Sequence, residues 1–296
     1  MAKKNPEIYE GKPILVAANS EKLAEAVEKF KADYPDIPLE SPYVVCVKGQ
    51  KIKTEAFYEN LSIGVVILHT NVEVIGTDAF DGCSNLTSIV IPDSVKEIGS
   101  NAFWDCTGLT SVAIPDSVTN IGDYAFHGCT GLTSIVIPNS VTEIGAYAFY
   151  NCTSLTNIEL PDSMTWIASG TFARCTSLVS VKIPNSVDWI AGLAFKGCTG
   201  LTSIVIPNSV TKIDMNSFDG CTSLQNIEIP DSVTEIGNWT FSGCINLTSI
   251  VIPDSVKEIG KSAFKGCTGL KEISVKSKDL LSGAEFIDGV TIIERG

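Results

Sequence analysis

Nine cysteines, Cys83, Cys106, Cys129, Cys152, Cys175, Cys198, Cys221, Cys244 and Cys267, recur at a constant interval of 23 residues. A fixed period of roughly 20–50 residues marks a solenoid, in which each unit buries its apolar side only against its neighbours. Phenylalanine keeps the same register from Phe80 through Phe103 to Phe264, leucine from Leu86 to Leu270, and proline from Pro92 to Pro253. The stretch 86–99 returns letter for letter at 247–260.

These columns translate into local structure. Ile89 and Ile91 stand two apart, so both point to one side of a short strand. Pro92 ends that strand because it has no N–H for the ladder. Val95 and Ile98 bring the chain back to the interior. The Ala102–Phe103 segment, preceded by Asp, Ser or Asn in several copies, reads as about one helical turn. Gly99 and its equivalents mark a bend that needs positive φ or close backbone approach. Stacked units align their strands as a parallel sheet with a spacing of about 4.8 Å. The bulkier opposite side should make the stack curve.

The pattern Ile-Pro-x-Ser-Val-x-x-Ile-Gly-x-x-Ala-Phe-x-x-Cys-x-x-Leu resembles the 23-residue repeat of the BspA-like leucine-rich repeat family. The resemblance covers about residues 51–276, with nine clear copies and a worn one over 52–68, where Asn60 stands for the cysteine and His69 for the proline. It implies a strand-rich α/β solenoid, a curved stack with a parallel sheet on one face and short helical turns on the other. It also implies a non-enzymatic module of adhesion or host-protein binding, secreted or on the cell surface, with no shared catalytic residues. The segment Met-Ala-Lys-Lys-Asn-Pro-Glu lacks the apolar core of a secretory signal, which leaves a cytoplasmic location open.

The expected organisation is an N-terminal β-α-β cap over 1–50, the solenoid over 51–276 and a closing cap over 277–296. Pro13–Ala18 and Tyr43–Val47 read as the cap strands. Ser20 reads as the N-cap of a helix with Leu23, Val27, Phe30 and Tyr34 at helical spacing. An alternative makes 1–50 a separate functional domain.

Composition narrows the partners. The net charge of −13, without a basic stripe, argues against a nucleic acid. No run of 18 apolar residues provides a membrane helix. Only two histidines, His69 and His127, are present, and neither has an obvious nucleophile beside it. No phosphate-binding loop or nucleophile elbow appears in suitable surroundings. The cysteines lack the clustering of a metal site, and read as a buried ladder of small apolar thiols, Cys46 included. Catalytic residues, cofactors and metals are therefore not expected.

Function is sought where the copies disagree, because the shared columns are set by packing. Trp166 and Trp189 occupy one column on consecutive copies, where Glu or Asn is usual, and the following glycine becomes Ala168, Ala191 and Asp214. With Arg174 and Lys182 nearby in sequence, they form the first candidate binding site, for a protein ligand before a glycan. The alternative is a local rearrangement that buries both indoles. A second aromatic surface combines Trp104, Tyr124, His127, Tyr147 and Tyr150, suited to contact or self-association. The overall expectation is a protein-binding module, monomeric or weakly homo-oligomeric, with a self-associating scaffold as the second reading.

Overall fold

The structure, a computed structural model, describes residues 6–295. Each regular coil crosses the stack in three segments. The first is a short strand, Ser88–Val90 and its equivalents such as Ser111–Ala113 and Ser134–Val136. Ile89 and Ile91 are buried while Val90 between them faces out, as the two-residue alternation of a strand requires. Equivalent residues pair in parallel, Ser134 with Ser111 and Ile135 with Val112.

The second segment is also a strand, though only two residues long, Glu97–Ile98 and its equivalents. The sequence shows only a return to the interior at this point; the structure adds a second parallel ladder, with Ile121 beside Ile98 and Ile144. The glycine after each isoleucine permits this approach. A Cβ on Gly99 would lie 2.8 Å from the Ile75 carbonyl oxygen, and one on Gly122 would lie 2.5 Å from the Ser100 nitrogen. Close approach, and not positive φ, is the demand at this column.

The third segment corrects the expected helical turn. Its N–H groups divide alternately between two partners. Those of Asp78, Phe80 and Gly82 reach Ser100, Ala102 and Trp104 of the next coil at 3.0, 2.9 and 2.8 Å. Those of Ala79, Asp81 and Cys83 close turns onto Gly76, Asp78 and Phe80 at 3.3, 3.3 and 3.1 Å. A helix would aim its N–H groups along its own axis and not sideways at a neighbouring coil. Asp78, Asn101, Tyr124 and Tyr147 stand at φ +53, +54, +56 and +56°, which a helix also forbids.

Between these faces runs a row of ten buried phenylalanines, Phe57 to Phe264. Consecutive rings stack with centroids 5.2–5.8 Å apart. Each pair adds about 0.5–1.5 kcal/mol beyond its buried area. The ladder thiols are buried as the spacing suggests, yet each has a polar partner. Cys106 Sγ donates to the Phe80 carbonyl at 3.1 Å and Cys175 Sγ to that of Phe149 at 3.1 Å. Burial pushes Cys175 up to about 12 and Cys83 likewise. Cys46 is only half-buried, unlike the ladder.

The second ladder has one fault. It runs from Lys51–Ile52 to Glu143–Ile144, stops, and resumes from Trp166–Ile167 to Glu258–Ile259. Before the fault, Thr142 and Gly145 donate to Thr119 and Ile121 of the preceding coil at 3.0 and 2.8 Å. After it, Asp188 and Ala191 donate to Thr165 and Ile167 at 2.9 and 3.0 Å. Thr165 and Ala168, in the coil between, make no such bond among the described residues. Ala168 is the first non-glycine of its column from Gly76 onward, and Met164 replaces the valine of its own. A Cβ on Gly145 would already lie 2.4 Å from the Asp123 nitrogen, so the Ala168 methyl, with the bulkier Met164, holds the two coils apart here. The phenylalanine row crosses the fault intact, with Phe149 and Phe172 5.7 Å apart.

The ends join the first sheet. Strands β1 (Ile8–Tyr9), β2 (Lys12–Val16) and β3 (Tyr43–Val47) lie in order beside Ile63–Leu68 and Ser88–Val90. Helix α1 (Ser20–Asp33) links β2 to β3 and buries Leu23, Val27 and Phe30. Its N-cap is Asn19, one residue before the expected Ser20; the Asn19 side chain accepts from the Lys22 N–H at 2.9 Å. Asn60, in place of the cysteine, donates to Ser20 at 2.8 Å and so ties the worn coil to the helix. At the far end Thr291–Glu294 pairs in parallel with Glu272–Val275. No helix among the described residues is long and apolar enough to cross a membrane.

Candidate binding surfaces

Trp166 and Trp189 are register partners on the second ladder, at the start of the block that follows the fault. Their rings stack with centroids 5.7 Å apart and planes 19° from parallel. Trp166 is half-buried and Trp189 is 36% exposed, so no rearrangement hides the pair. Lys212 continues the column and binds Glu235 at 3.2 Å. In this stack each indole covers one face of the other and leaves the second face uncovered by its partner.

The structure does not bring Arg174 and Lys182 to this pair. Lys182 lies on the first sheet, where it forms an ion pair with the neighbouring Glu159. Arg174 lies on the turn face with its guanidinium 5.7 Å from the centre of the Tyr150 ring. The four residues thus occupy three faces of the coil. Closeness in sequence misleads in a solenoid, since residues eight apart in one coil can point in different directions. Two other side chains increase the apolar exposure of the post-fault block: Met215 at 49% and Trp239 at 38%. Both sit in variable columns, where a lone departure carries little signal in sequence.

The five residues of the second surface do come together. Trp104, His127 and Tyr150 form one stack, with centroids 3.9 and 4.7 Å apart. Tyr124 and Tyr147 form a parallel stack at 5.1 Å, and Trp104 lies 5.3 Å from Tyr124. Arg174 closes the first row over Tyr150 as a cation–π contact. Tyr147 also covers Gly170, where a Cβ would lie 2.3 Å from its ring. His127 is enclosed by this stack, with Nδ1 3.9 Å from an Asp105 carboxylate oxygen. Burial lowers its pKa, against the opposing pull of Asp105.

Charge along this turn face is uneven. Before the rings stand Glu55, Glu59, Asp78, Asp81 and Asp105; after them come Arg174, Lys196, Lys261 and Lys265, with Asp219 paired to Lys196 among them. Burial first, then Asp78, Asp105 and Glu59, push Asp81 up to about 6. The first sheet offers a plainer surface, with Val136 at 74% and Val205 at 79% exposure. No group of three His, Cys, Asp or Glu side chains among the described residues is placed to hold a metal ion.

The comparisons with known proteins agree with this architecture. The profile of the BspA type leucine rich repeat region, in six copies, matches residues 50–145, 97–214 and 190–286. No curated protein matches the chain. Among solved structures, a leucine rich cell surface protein from Faecalibacterium prausnitzii A2-165 is similar at 33% identity and a TM-score of 0.55, over 85% of this chain and 78% of that one. A leucine rich repeat protein of T. pallidum is similar at 32% identity and a TM-score of 0.51, over 62% of this chain and 78% of that one. The pneumococcal vaccine antigen PcpA shares the fold at 18% identity and a TM-score of 0.54, over 86% of this chain and 79% of that one. With its repeats matched from residue 50 to 286, the chain belongs to the family of BspA-type leucine-rich repeat proteins.

Proposed function

We propose that this protein is a non-enzymatic binding module of the adhesion type, which engages a protein at the cell surface or in the matrix through the Trp166–Trp189 surface. Its family and its likeness to a bacterial cell surface protein support the general class. The observation that carries the site is the stacked, partly exposed indole pair at the ladder fault. Tryptophan truncations at protein interfaces often cost more than about 2 kcal/mol, and the gain comes from expelling water around a rigid apolar anchor.

The test is a binding screen against purified matrix and cell-surface proteins, with a Trp166→Ala/Trp189→Ala variant alongside. A loss of at least about tenfold in affinity with unchanged melting is the expected result. Equal binding by both forms, or no protein bound by the wild type while a glycan array is bound, would overturn the assignment.

A further inference from the structure

We propose that the turn face is an isologous self-association surface, on which a second copy of this chain docks with its stack direction reversed. The argument starts from the order of residues along that face: carboxylates, then rings, then cations. Such an order is complementary to its own reverse, which is what a two-fold interface requires.

The register can be worked out from the coil period. Let a two-fold axis lie in the face, across the stack, between the coils of His127 and Tyr150. Each column then meets itself with the coil order inverted. Asp105 faces Arg174 of the second copy, and Asp81 faces its Lys196; both pairs fall in shared columns. Tyr124 meets Tyr147, and His127 meets Tyr150. The footprint spans six coils, or about 29 Å at the spacing of stacked strands. It stops at the next coil, where Tyr58 would meet Asp219 and Glu59 would meet Gly220, so that neither carboxylate finds a cation.

Two features of the single chain support this docking. Asp81 stands among the carboxylates of Asp78, Asp105 and Glu59, whose repulsion adds to burial in raising its carboxyl; a partner cation would relieve that repulsion. The Arg174 guanidinium already lies over Tyr150, where it can turn toward a carboxylate across the axis. Lys196 binds Asp219 at 2.9 Å within its own chain, so it is shared. At physiological salt the Debye length is about 8 Å, which screens the overall negative charge of two chains while contact pairs persist.

Sedimentation across concentration in ~150 mM salt tests this, using substitutions that each column already tolerates. Asp81→Lys/Asp105→Arg should weaken the dimer at least about tenfold, and Lys196→Asp/Arg174→Asp should do the same. All four changes together should restore wild-type affinity to within about threefold, because the inverted face is again its own complement. A wild type that stays monomeric at ~100 µM overturns the proposal, as does a four-fold variant no better than either double. Dimerisation untouched by Trp166→Ala/Trp189→Ala separates this surface from the ligand site.

Discussion

The two blocks of the second ladder, residues 51–144 and 166–259, share one interior and differ in their exteriors. Both bury the same Phe, Cys, Leu, Val and Ile columns, and between them Met164 takes a valine position. The earlier block is acidic and then ring-covered on its turn face; the later block carries exposed indoles and cations. The interior cannot vary, since each side chain packs on its own copies one coil away. Only outward columns are free to carry recognition. The fault between the blocks shows what happens when an inner column does vary: one methyl and one larger side chain cost a coil its ladder bonds.

Breaking an interior column should have the largest effect. Phe149→Ala removes a ring stacked on Phe126 and Phe172, and should cost about 3–5 kcal/mol in denaturant melts. Gly122→Ala should come next, at about 1–3 kcal/mol, because the new methyl meets backbone that cannot move aside. At the fault the reverse exchange should cost little. Ala168→Gly with Met164→Val should close the fault with little change in stability, and the Ala168 amide should become protected from exchange.

Cys175→Ser sharpens the account of the thiol ladder. Viewed as a thiol without a polar partner, its replacement would cost about 1–3 kcal/mol. The bond from Cys175 to the Phe149 carbonyl lowers that figure, because serine keeps a donor. The expected cost is about 1 kcal/mol or less, and no greater than that of Cys175→Ala. A melt that places serine well below alanine would refute the donor role.

The smallest effect concerns Asp81. Its carboxyl titrates near 6 in the folded chain against 3.8 as the reference value. Between those values the folded chain holds the extra proton, so stability falls as pH rises through the window and stays lower above it. Asp81→Asn should therefore stabilise the monomer at pH 7, by about 1 kcal/mol or less once solvent screening is allowed for. Near pH 3 the gain should vanish.

Much of this was legible in the sequence because a period multiplies weak signals. Nine cysteines and the repeated Ile-x-Ile specify the stack and its first sheet without reference to any long-range contact. The helical turn was misread at Asp78–Cys83, since an Ala-Phe pair says nothing of N–H groups that leave for the next coil. The glycine departures at Ala168, Ala191 and Asp214 were visible, but their consequence depends on the coil before each one. Ala168 follows a glycine and opens the ladder, while Ala191 follows an alanine and keeps it. The ring cluster was recoverable because its members recur by 23, whereas Arg174 and Lys182 were assigned by closeness along the chain to indoles they do not approach.

Residue-resolved amide hydrogen exchange tests the central claim, that the loss of one glycine divides the second ladder into two blocks. Thr165 and Ala168 should exchange at rates typical of open loops, while Thr142, Gly145, Asp188 and Ala191 remain protected. Uniform protection across all six would contradict the fault and with it the division of the exterior into two surfaces.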